Sequence, residues 1–120
     1  MMKNLSFTLL VLFSYCMIFC PLKAQTQQEM NQSEEQRYEK ADKELNLEYA
    51  KLMKVVDESA KEKLKKAQRA WVAYRDAEAE YATSDCKGGT IEPMILFATM
   101  ANLTEARLKS LKENYEAYAQ

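Results

Sequence analysis

The chain has 120 residues, with 17 Lys and Arg against 18 Asp and Glu, a formal net charge of −1, and no histidine. Without an imidazole, His-based acid–base catalysis, Ser-His and Cys-His nucleophile pairs and ordinary zinc sites are excluded. The length suits one domain. A near-neutral balance with pI about 5.6 argues against a nucleic-acid partner, which needs clustered cations to displace counterions from phosphates.

Residues 1–24 read as a secretory signal peptide. Lys3 precedes an uncharged apolar run from Leu5 to Cys20, and Leu22 and Ala24 fit a leader-peptidase site that would cut before Gln25. A lipoprotein signal fits less well, because Phe19 stands before Cys20 and Tyr15 before Cys16 where a small residue is needed. An uncleaved anchor also fits less well, since the run falls short of the roughly 20 residues that span a bilayer. Cleavage would remove Lys3 and Lys23 and no acid, leaving 15 basic and 18 acidic residues. It would also remove Cys16 and Cys20. The exported, periplasmic or extracellular chain then keeps only Cys86, so no internal disulfide forms, and Cys86 is a free thiol or a link to a second molecule.

From Gln25 onwards the only helix breakers are Gly88, Gly89 and Pro93, and residues of high helix propensity dominate. The expected class is all-α: a small antiparallel helical bundle or hairpin of three to four helices. Residues 25–32 read as a flexible polar N-terminus and 33–120 as the helical domain. Ser33-Glu34-Glu35-Gln36 matches a capping box, so a first helix is expected near Ser33, with an apolar stripe through Tyr38, Ala41, Leu45, Tyr49, Leu52 and Val56. A second capping box, Ser59-Ala60-Lys61-Glu62, suggests a tight turn at 57–59, although no Gly or Pro enforces it and a continuous or bent helix stays open.

A second helix would turn Leu64, Ala67, Trp71, Tyr74 and Tyr81 inward. If two helices of equal rise leave a turn near residue 58, facing positions have numbers that sum to about 116 or 117. That register sets Leu52 opposite Leu64, Leu45 near Trp71, Tyr49 near Gln68 and Asp42 near Arg75. The stretch from Ser84 to Thr90 is the one clear loop. A last helical region would run from about Glu92 to Tyr118, either unbroken or restarted at Thr104, with Ile95, Phe97, Met100, Leu103, Leu108, Leu111 and Tyr115 inward.

The strings Ala41-Asp42-Lys43-Glu44-Leu45-Asn46-Leu47-Glu48-Tyr49, Ala67-Gln68-Arg69-Ala70-Trp71, Tyr74-Arg75-Asp76-Ala77-Glu78, Gly88-Gly89-Thr90, and Leu103-Thr104 with Arg107 resemble the LprI-type lysozyme inhibitors, small secreted helical domains. The resemblance covers about Ala41 to Leu111. It implies a structural motif of Asp42, Leu45, Asn46, Tyr49, Gln68, Trp71, Tyr74, Arg75, Thr104 and Arg107. It also implies that Ala79 and Thr99 replace a cysteine pair usual in the family and are close in space. This chain would then hold its second hairpin without the roughly 3 kcal/mol that closing a loop of about 20 residues supplies.

The resemblance implies action by binding rather than catalysis, with a lysozyme as the protein partner and no cofactor. Asp76, Glu78 and Glu80 do not make a glycosidase pair, because helix positions two apart do not face each other. One thiol and no imidazole leave no metal site. Trp71 with Arg75 reads as a core anchor beside a buried cation, or else as an exposed cation–π platform. The candidate partner contacts are Arg69 and Asp76 on the second helix and Lys87, Gly88 and Gly89 in the loop. An acidic helix face is the other candidate, since it would steer towards a basic enzyme. The competing class is a structural or adaptor module of the cell envelope, dimeric through Cys86 or through the final helix with Tyr115 and Tyr118.

Overall fold

In the computed structural model the described residues form three helices, α1 (Met2–Val55), α2 (Glu58–Ala82) and α3 (Glu92–Tyr118). The structure describes the backbone of residues 2–120 and side chains from residue 26 on. The cleavage-site residues, Cys16 and Cys20 therefore lie outside the described side chains. The chain divides into two units, Met1–Met30 and Asn31–Gln120.

The helix continues without interruption through residues 25–32 and past Ser33, so Ser33 is an interior helical position and not an N-cap. Nothing in that stretch breaks a helix: it contains no Gly or Pro and is rich in Gln and Glu. The turn between α1 and α2 is real, but its cap is Asp57, not Ser59. Asp57 is extended (φ −70°, ψ 168°), and its Oδ1 accepts the Ala60 N–H at 2.8 Å. A carboxylate two residues before Ser59 thus satisfies a free donor at the start of α2 and starts the helix a turn-fraction earlier. No restart occurs at Thr104, which sits in the middle of a continuous α3 and is completely buried.

Cross-contacts set the directions. Asp42 meets Arg75, the pair expected from a turn near residue 58, so α1 and α2 are antiparallel. Between α1 and α3 the contacts Asn31–Thr90, Arg37–Glu105 and Lys51–Tyr115 advance together along both helices, so these two are parallel. The result is an up–down–up bundle. Its apolar centre is Leu45, Leu52, Val56, Leu108 and Leu111, with Tyr49, Ala60, Leu64, Trp71 and Tyr115 packed against it. Leu52 and Leu64, and likewise Leu45 and Trp71, therefore share one cluster, as the register requires.

The inner face of α2 differs from the one expected. Tyr74 and Tyr81 are exposed, at 53% and 75%, and Ala67 is exposed as well. The inward positions are Ala60, Leu64, Gln68, Trp71, Arg75 and Ala79, a regular three-and-four spacing from Leu64. Reading only apolar residues onto the inner face misses it, because Gln68 and Arg75 occupy two of its positions.

Candidate functional site

Arg75 is the centre around which the upper half of the bundle is built. Its side chain is only 9% exposed, and its charge is met from three sides. Nη1 donates to Asp42 Oδ1 across the α1–α2 seam at 3.3 Å, while Nε and Nη2 donate to Asp76 Oδ1 at 2.9 and 2.8 Å. The guanidinium carbon lies 5.4 Å from the ring centroids of both Tyr38 and Trp71. Two carboxylates and two aromatic rings compensate the desolvation of one cation. Tyr38 in turn lies 6.1 Å from Phe97 of α3, centroid to centroid, which ties the third helix to the same assembly. Burial raises the Tyr38 phenol above its ordinary range, opposed by the nearby Arg75 charge.

The Trp71 ring is half-buried on the apolar cluster, and its cation–π partner Arg75 is internal. Asp76, a candidate partner contact, is drawn into the same network while keeping half of its side chain exposed. Asn46 is exposed, with its amide 3.4 Å from Asp42 Oδ2. Gln68 does not use its polar end towards Tyr49: its Oε1 accepts from Arg107 Nε of α3 at 3.0 Å. Burial holds the Arg107 guanidinium below its ordinary pKa. Thr104, one turn before Arg107, has a buried Oγ1 with no hydrogen-bond partner.

Arg37 was not singled out from sequence. Its Nε and Nη2 grip both Glu105 oxygens, at 2.8 and 2.5 Å, while Nη1 reaches Glu34 at 3.0 Å and Nη2 reaches Asn102 at 2.6 Å. This bidentate clamp joins α1 to α3 on the surface. The hydrogen bonding that Arg37 donates to Glu105 raises the Arg37 pKa further, and the same interaction holds the Glu105 carboxyl below its usual range. The only local sequence signal was the Glu34–Arg37 spacing, and that says nothing about a partner on α3. Beside the clamp lies a shallow groove between α1 and α3, lined by Arg37, Lys40, Ala41, Glu44, Glu105 and Leu108. Its mixed charge selects no particular ligand.

The loop from Thr83 to Ile91 is held by its own backbone. Cys86 N donates to Thr83 O at 3.1 Å, Gly89 N to Cys86 O at 2.9 Å and Glu92 N to Gly89 O at 3.3 Å. Thr83 and Ser84 hydroxyls return to carbonyls of the last turn of α2, and Asn31 Nδ2 donates to Thr90 O at 3.0 Å. Gly88 takes φ +79°, a left-handed conformation costly for any other residue type, and its N–H donates to Glu92 Oε2 at 2.5 Å. Lys87, Gly88 and Gly89 are all exposed at the tip. Cys86 is a free, half-buried thiol whose Sγ donates to Thr83 O at 3.5 Å. Arg69 is exposed on α2, away from the loop contacts just described.

Fold and site together define a small all-helical domain braced by internal charge networks, with a pre-ordered loop at one end. The family model described as "Lysozyme inhibitor LprI" matches residues 20–111, and the chain belongs to that family. It is 37% identical over 108 residues to an uncharacterized protein of Rhizobium meliloti (strain 1021), an alignment covering 79% of this chain and 78% of that protein. No solved structure matches the chain.

Proposed function

We propose that the protein is an exported inhibitor that binds a peptidoglycan-cleaving lysozyme non-covalently and carries out no chemistry of its own. The observation that carries this reading is the match of the lysozyme-inhibitor family model to residues 20–111, which include the whole of α2, the loop and most of α3. The loop is the contact we favour, through Lys87, Gly88 and Gly89. Internal hydrogen bonds already order it, so docking into a concave site costs little conformational entropy. Arg69 and the exposed half of Asp76 lie on α2 and would contribute only to a partner large enough to cover both regions. Export follows from the leader reading, with cleavage after Ala24.

The test is titration of purified protein into lysozymes of different classes, followed by cell-wall lysis and by calorimetry on the same pairs. Inhibition with a measurable heat is expected for at least one class, and Lys87→Glu should weaken it without altering the helical content. Absence of both inhibition and heat across the classes would remove the proposal.

A further inference from the structure

The outer flank of α2 carries a feature that neither the bundle nor the loop uses. Ala67, Ala70, Tyr74, Ala77 and Tyr81 follow the three-and-four spacing of a helix-packing seam, yet all five are exposed. Tyr74 and Tyr81 are among the most exposed large apolar side chains of the described residues. A row of alanines broken by two tyrosines lets a second helix approach closely while each phenol fills space beside a small residue.

Round the solvent side of the helix from this stripe the charges are segregated along its length. Lys63, Lys66 and Arg69 are exposed in the first half, and Glu80 in the second together with Asp76, which accepts from Arg75 of its own chain and keeps half of its side chain exposed. The remaining basic residues of the first half that carry an acidic neighbour, Lys61 and Lys65, are paired with Glu58 and Glu62 on their own helix. A helix with one basic and one acidic half complements itself when two copies run in opposite directions.

We infer that this face of α2 binds the same face of a second copy of the chain, antiparallel about a two-fold axis near Ala73. Facing positions would have numbers that sum to about 145, as a two-fold axis requires of equal helices. Arg69 then meets Asp76 of the other copy and Lys66 meets Glu80, each pair occurring twice. Tyr74 lies against Ala70, and Tyr81 lies over Lys63 of the other copy. One helix face per copy is a small interface, so the dimer is reversible and concentration-dependent.

Sedimentation equilibrium of the purified protein in reducing buffer, which removes any Cys86 bridge, reads this directly. A monomer–dimer equilibrium is expected. Lys66→Glu should weaken it by about tenfold or more, since it places like charges together twice, and adding Glu80→Lys to the same chain should restore it. Both positions are exposed, and circular dichroism would verify that each variant keeps its helices. In a Cys86→Ser background, Ala73→Cys should give an oxidised dimer and Ser59→Cys should not. A monomer at every concentration would overturn the inference. So would a dimer indifferent to Lys66→Glu, as contact through Tyr115 and Tyr118 would be, or a double variant that fails to recover.

Discussion

Arg75 of α2 and Asp42 of α1, 33 positions apart in the chain, meet at 3.3 Å and bring the most buried cation of the described ion pairs to the seam between two antiparallel helices. The pair is asymmetric. Asp42 is more than a third exposed, whereas Arg75 has almost no access to water. Asp42→Ala should therefore cost about 1–2 kcal/mol, because Asp76 and the two rings still hold the guanidinium. Arg75→Ala should cost about 3 kcal/mol or more, and Arg75→Lys should rescue only part, because an ammonium cannot stack flat or donate in a fork. Urea unfolding followed by the emission of Trp71 measures all three.

The start of α2 separates two candidate caps. Asp57→Ala removes the acceptor of the Ala60 N–H and should destabilise the protein by about 1 kcal/mol. Ser59→Ala should change stability by no more than a few tenths of a kcal/mol, since an exposed residue inside the first turn caps nothing. Equal losses from the two variants in paired thermal melts would contradict the cap assignment.

Thr104 is completely buried, with its hydroxyl unpartnered. Thr104→Val keeps the shape and removes the desolvated oxygen, so it should be neutral or stabilising by up to about 1 kcal/mol. A loss of more than 1 kcal/mol on chemical denaturation would mean that the hydroxyl has a partner, such as a bound water.

The Arg37–Glu105 clamp sets an acid dependence. Its hydrogen bond holds the Glu105 pKa below the ordinary 4.5, so the folded state binds this proton less readily than the unfolded chain does. The clamp's contribution is full above the unfolded value and is lost as pH falls through the depressed one. Because the groups are substantially exposed, the effect should stay below about 1 kcal/mol. Melting temperatures at pH 7 and pH 3 should differ less for Glu105→Gln than for the unaltered protein. An unchanged difference would assign the acid sensitivity to other carboxylates.

Much of the bundle could be read from one dimension. The stripe Ala41, Leu45, Leu52 and Val56 is buried as its spacing demands, and the turn near residue 58 places Asp42 on Arg75. Local patterns misled where two signals overlapped. Ser33 and Ser59 both match capping boxes, but the first lies in a stretch with no reason to break, and the second loses to a carboxylate two residues upstream. On α2 the apolar pattern points to Tyr74 and Tyr81, whereas the inner positions include Gln68 and Arg75, whose polar ends find partners on other helices.

Helical class and the antiparallel first hairpin follow from spacing and composition, because helix periodicity and loop length are local properties of the chain; the family resemblance rests on particular strings such as Tyr74-Arg75-Asp76-Ala77-Glu78. What only the assembled bundle decides is where the charges go. Arg75 is interior because Tyr38, Trp71, Asp42 and Asp76 converge on it from two helices. Arg37 is a clamp because α3 runs parallel to α1 and delivers Glu105, and the tyrosines of α2 face outwards because those buried polar groups have taken the inner positions. The hairpin register alone pairs Asp42 with Arg75, but partners that α3 supplies carry no trace in the residues nearby in sequence.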